Sequence, residues 1–262
     1  MSQLTESVGE RAIARTSHTS FFFAMSGAFL AIVLIGFAPT FYLHGVFFPT
    51  PTRPAYVYVH GFVMTAWFLL LFIQTGLIRT GHFQRHRQLG VAGAFLGLGV
   101  VIMGVTVAVG VVPGLKGIPG FDFASDISVL GLGSGETVAR FVSFIVWANL
   151  ATAVTFSVLL VSAILFRRQP ETHKRLMLMA SLAVLGPAIS RISRWPGLGG
   201  ETGPFFPTVF FFLLAVIVVH DVAVTKRVRP FIFFGGSLVV FDYFAAKFVA
   251  ATEFGQSFVM GL

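Results

Sequence analysis

Seven long apolar runs divide this chain, over residues 21–43, 57–78, 89–112, 138–166, 174–190, 205–225 and 231–251. Each is near the ~20 residues that an α-helix needs to cross about 30 Å of hydrocarbon. Within lipid the backbone must satisfy its own hydrogen bonds, so apolar runs of this length adopt helices. The pattern predicts an all-α fold, a seven-transmembrane helix bundle. In a chain of 262 residues, that leaves a short polar segment over 1–20 and a single membrane domain over 21–262. An apolar fraction of 56%, a charged fraction of 11% and a mean hydropathy of +0.88 place the chain outside the soluble range.

The net charge of +8 raises the question of nucleic acid, but the placement of the charges argues against it. Arg79, Arg85 and Arg87 follow the second run; Arg167, Arg168, Lys174 and Arg175 follow the fourth; Lys226, Arg227 and Arg229 follow the sixth. With Arg11 and Arg15, twelve of the 18 basic residues share one side. The other side holds Arg53, Lys116, Arg140, Arg191, Arg194 and Lys247, with the acids Asp122, Asp126, Glu136, Glu201 and Glu253. Basic loops stay inside, which predicts a cytoplasmic N-terminus and an outward C-terminus. The bilayer is the expected partner, with anionic head groups against the basic turns.

The first apolar run lacks a small-x-small cleavage pattern and reads as a retained span of a bacterial inner-membrane protein. The chain has no cysteine, which excludes disulfides, thiolate metal sites and thiol catalysis. Two Gly/Pro-rich outer loops, 113–136 and 194–207, are long enough to cap a cavity. The basic turns at 78–90, 166–177 and 225–233 suggest a repeat of three hairpins behind a leading span. The third run carries Gly93 and Gly97 at the spacing that lets helices approach closely. Gly131-Leu132-Gly133-Ser134-Gly135 has no strand or basic partner and is assigned nothing.

Ionisable groups are costly in hydrocarbon, so those within the runs are the functional candidates. His60, Trp67 and Gln74 recur every seven residues on one face of the second span, with Met64 and Leu71 between them. Such a face lines a cavity or supplies interhelical hydrogen bonds. Arg140, Arg191, Asp242 and Lys247 lie at or near the depth of His60. If they converge, they make an outer pocket for an anionic or carboxylate-bearing ligand; the alternatives are snorkelling and structural pairing. His82, His86, His173, His220 and Asp221 mark the inner side. Imidazoles from different helix ends suit a metal or the axial positions of a haem, and haem propionates tolerate nearby cations. No Walker loop, dinucleotide fingerprint, HExxH or nucleophile elbow occurs.

The order His60, Gln74, Arg79, His86-Arg87, Gly90, then His173-Lys174-Arg175-Leu176-Met177 and Pro187-Ala188-Ile189-Ser190-Arg191, resembles bacterial multi-pass membrane protein families of undetermined function. The likeness covers roughly residues 56–191, with a looser match at 226–230. It is also distantly similar to cytochrome oxidase assembly factors and cytochrome b561-type bundles, although the four ligand histidines of the latter are not matched. The resemblance implies haem b, with His60, His86 and His173 as ligand candidates and Arg140 and Arg191 as propionate partners, in electron transfer or respiratory-complex assembly. Two other readings stand beside it. One is an outer-leaflet pocket for a small anionic or lipid-like ligand, made by His60, Trp67, Gln74, Asp242 and Lys247. The other is an accessory subunit of a larger membrane complex. Lys247 in the last run also resembles the retinal lysine of rhodopsins. Its spacing of five from Asp242 and the absence of a carboxylate in 89–112 depart from that family.

Overall fold

The computed structural model describes residues 2–47, 54–130, 135–195, 197, 198, 200, 203–227 and 229–262, with side chains from Ser20 onward except Phe47, Val129 and Leu130. Arg53, Glu201, the side chains of Arg11 and Arg15, and the Gly131–Ser134 part of the glycine-rich loop lie outside the described residues. Every long element is helical. In chain order these are α1 (Ser2–Phe37), α2 (His44–Phe47), α3 (Ala55–Arg79), α4 (Phe83–Lys116), α5 (Val138–Leu165), α6 (Pro170–Ala183), α7 (Gly186–Ser193), α8 (Phe205–Thr225), α9 (Pro230–Ala251) and α10 (Glu253–Met260). One π turn, Ala38–Tyr42, extends α1, and a short 3₁₀ turn, Ile127–Leu130, lies in the loop before α5.

Six of the described helices are long and apolar enough to cross a membrane: the part of α1 from Ser20 with its π turn, and α3, α4, α5, α8 and α9. The run at 174–190 differs from expectation. It is broken into α6 and α7, which meet at a bend of 41°. Gly186 and Pro187 open the second piece, and a proline ring there removes an intrahelical donor and crowds the preceding turn. The polar segment at 1–20 also resolves. It is helical from Ser2 and runs unbroken into the first span.

The bent pair is the most enclosed part of the molecule. Leu176, Leu178 through Leu185, Ala188 and Ile189 are all buried. α6 packs against α5 and α9, while α7 packs against α1 and α8. The α1–α3–α4–α5 succession completes the surround. Close approach is set by small residues: a Cβ on Gly36 of α1 would lie 2.3 Å from the Ala188 carbonyl oxygen of α7. Gly97 of α4 likewise lies under Leu160 and Trp67, and Gly93 under Leu70, so the glycine pair is a packing seam.

The hairpins are unequal. α3 with α4, and α5 with α6, pack along each other, whereas α8 and α9 share little and α9 sits on α5 and α6.

The outer end is closed by a second apolar cluster that includes Val112, Ile127, Val138, Phe141, Val142, Val146 and Val259. It docks α10 on α5, where Ser143 Oγ and Trp147 Nε1 both donate to the Gly255 carbonyl at 3.1 Å. Lys116 Nζ reaches the Met260 carbonyl at 2.6 Å. The loop beneath is ordered by its aspartates. Asp122 accepts from the Ala124 N–H at 2.9 Å, and Asp126 from the Ser128 and Gly135 N–H groups at 2.8 Å. Those donors hold both carboxyls below the ordinary aspartate value.

Candidate functional site: the inner-end histidine pair

His86 and His173 come from different hairpins and meet at the end of the bundle that carries the basic turns, with ring centroids 6.4 Å apart and planes at 81°. His86 lies in the first turn of α4 and His173 in the first turn of α6, so each is placed by the helix start that follows a basic turn. His173 Nδ1 lies 2.8 Å from the Ala163 carbonyl of α5. A carbonyl only accepts, so Nδ1 donates to it, which leaves Nε2 outside that bond. That is the arrangement in which a backbone oxygen orients a metal-ligating imidazole. Gln74 of α3 donates from Nε2 to the His86 carbonyl at 3.2 Å and thereby fixes the opening of α4. Gln74 Oε1 and His86 Nδ1 are buried and lack a hydrogen-bond partner among the described residues. Buried polar atoms are rarely left so without a ligand or water to meet them.

The other sequence candidates do not join this pair. His60 is on the same helix as Gln74 but fourteen residues away, about 21 Å along the axis. It lies instead beside the Met103 backbone and within electrostatic reach of Arg191. Trp67 is buried in the core, where it donates from Nε1 to Ser181 Oγ at 3.2 Å and packs edge-on against Phe156. The shared helix face of His60, Trp67 and Gln74 therefore serves three different neighbours at three depths. His82 leaves the inner group as well: its Nδ1 meets the Thr80 hydroxyl at 2.9 Å on the exposed turn. His220 stacks on Phe21 with centroids 3.5 Å apart.

Two corrections follow for the cations. Arg140 is exposed at the outer start of α5, 23 residues from Ala163 and so about 34 Å from the carbonyl that holds His173. Arg191, at the end of α7, stacks over Phe37 with 4.4 Å to the ring centroid and also lies toward the outer end. Neither reaches the histidine pair, so neither is a propionate partner for it. Asp242 and Lys247, expected beside His60 in an outer pocket, have separate neighbours. Asp242 turns inward and accepts from Thr152 of α5 at 2.9 Å. Lys247 is exposed, with its ammonium 5.2 Å from the Tyr243 ring centroid. A five-residue offset sends the two side chains of α9 to different surroundings.

Arg175 is interior. Its side chain is 1% exposed, it pairs with Asp221 of α8, and it is held at 2.7 Å by Glu171, one turn earlier on α6. Its place in a basic cluster made it look like a topology charge. The one available signal was the i, i+4 spacing of Glu171 and Arg175.

No protein family, curated protein or solved structure matches the chain.

Among the described residues no group of three or more His, Asp or Glu side chains is placed to hold a metal ion. Two imidazoles alone undersupply a bare zinc ion, which takes four ligands. A porphyrin brings four nitrogens of its own and asks the protein for only the axial positions.

Proposed function

We propose that this chain is a seven-span bacterial inner-membrane protein that binds haem b at its inner end through His86 and His173, in electron transfer or respiratory-complex assembly. The N-terminus is cytoplasmic and the C-terminus outside, with the bent α6–α7 pair counted as the fifth span. The observation that carries the haem reading is the approach of the two imidazoles from separate hairpins at 6.4 Å. His173 is oriented by Ala163, and the opening turn of α4 that carries His86 is tied to α3 by Gln74. Arg87, next to His86 and electrostatically coupled to it, is the propionate partner in place of Arg140 and Arg191. Bound there, the haem supplies a one-electron couple near the cytoplasmic face. The charge distribution of the turns supports the orientation.

The decisive test is the absorption spectrum of protein purified in mild detergent from haem-replete cells, oxidised and dithionite-reduced. A Soret band with a reducible α-band is expected, lost in His86→Ala and in His173→Ala but kept in His60→Ala. A colourless protein, or a band that survives both inner substitutions, would falsify the haem reading. Because the chain has no cysteine, single cysteines at Gln84 and at the exposed Ile118 report topology cleanly. The first should label only from the cytoplasm and the second only from outside.

A further inference from the structure

On the opposite side of α6 from His173 lies a second polar feature. Residues 172 and 175 are separated from 173 by about 100° and 200° of helical turn, so they address a different neighbour. They line a cavity of about 360 Å³ between the start of α6 and the turn from α8 to α9, together with Glu171, Arg227 and Arg229. That volume is in the range of small-ligand sites.

The charge of this cavity is unbalanced. Its single lining carboxylate, Glu171, is already held by Lys174 at 2.6 Å and by Arg175 at 2.7 Å. Asp221, behind the wall, is taken by Arg175. Among the described residues neither Arg227 nor Arg229 forms an ion pair. Arg175, at 1% exposure, is fixed in the cavity wall with its charge met by Asp221 and Glu171, so the unmatched lining cations are Arg227 and Arg229. The N-terminus of α9 opens at the same place, with Pro230 and Phe231 in the lining, and its positive dipole end adds to the field. All the contributing helix ends belong to the end of the bundle that carries the basic turns, where anionic head groups are attracted.

We propose that this cavity is a binding site for a phosphate group, gripped by Arg227 and Arg229 beside the N-terminus of α9. Guanidinium forks match phosphate oxygens in pairs, which a scattered lysine patch does not do. The phosphate comes either from a lipid head group or from a free phosphate-bearing solute. The site lies across α6 from the histidine pair and does not depend on haem binding there.

The test is the melting temperature of the purified full chain in mild detergent, titrated with inorganic phosphate against chloride at matched ionic strength. A parallel titration uses dihexanoyl phosphatidic acid. The proteins are the wild type, the double variant Arg227→Gln/Arg229→Gln, and Arg85→Gln as an exposed cation on another inner turn. A saturable rise with inorganic phosphate, with apparent affinity at least tenfold weaker in the double variant and unchanged in Arg85→Gln, supports the site with a free phosphate as occupant. The same pattern with phosphatidic acid alone supports it with a lipid head group as occupant. Absence of any saturable rise, or a rise of equal affinity in the double variant, or equal loss in Arg85→Gln, overturns the proposal. The unliganded melting temperature of each variant reports its folding separately.

Discussion

Arg175 of α6 and Asp221 of α8 form an ion pair sealed from solvent, at 1% and 3% side-chain exposure. It joins α6 to a helix with which α6 itself otherwise shares little packing. Taking two charges out of water costs several kcal/mol each, repaid only while both partners are present.

Asp221→Leu alone is therefore expected to cost about 3–5 kcal/mol, because it leaves the Arg175 guanidinium buried with only Glu171 to meet it. Arg175→Met/Asp221→Leu together is expected to cost much less, since no charge is stranded. Melting curves in detergent for the two variants check this, and equal losses would show that the pair is not the source of the effect.

Close approach of α1 and α7 rests on Gly36, whose added Cβ would lie 2.3 Å from a backbone oxygen that has no rotamer to change. Gly36→Ala is expected to destabilise by about 1–3 kcal/mol through overpacking. Gly104 of α4 is the contrast: a Cβ there meets nothing within 4 Å. Gly104→Ala is expected to stabilise by up to about 1 kcal/mol, from helix propensity. The opposite order of melting temperatures would contradict the interhelical spacing described here.

Trp67 donates its indole N–H to Ser181, whose hydroxyl also donates to the Met177 carbonyl at 2.9 Å. Trp67→Phe removes one interhelical bond without stranding the serine. A loss near 0.6–1 kcal/mol beyond the packing change is expected for such a bond between membrane helices. The comparison is with Ser181→Ala in a double-mutant cycle.

The outer loop carries a pH dependence of definite sign. Backbone donors hold Asp122 and Asp126 below the ordinary value of 3.8, so the folded loop favours their ionised forms. Their contribution is complete above that value and is lost as pH falls through the lower folded-state value. Hydrogen exchange at Ala124, Ser128 and Gly135, corrected for intrinsic rate, should show steady protection at neutral pH and a decline only under strong acid. In Asp122→Asn the protection at Ala124 should no longer follow pH.

The sequence reading was strongest where the physics is local. Apolar length needs no knowledge of which helix touches which, and six of the seven runs correspond to described helices long and apolar enough to cross a membrane. It was weakest at the run 174–190, where a Gly-Pro step has only local steric meaning until the surrounding core shows that the two pieces bend inside it. Gly93 and Gly97 were legible as packing because small size has one use at a helix seam.

Chemistry was less legible than architecture. The resemblance to multi-pass membrane families singled out His60, His86 and His173 together, since a sequence carries identity and spacing but no depth. Only the folded chain separates His60 from the other two by the length of α3, brings His86 and His173 together across two hairpins, and takes Arg175 out of the solvated basic turn into the interior. Residues far apart in the chain meet according to how whole helices pack, and the free energy of that packing is summed over the entire core. No local pattern carries it. What the sequence alone determined was a helical chain suited to lipid, with its basic turns on one side. The tertiary structure decided which of its polar side chains meet.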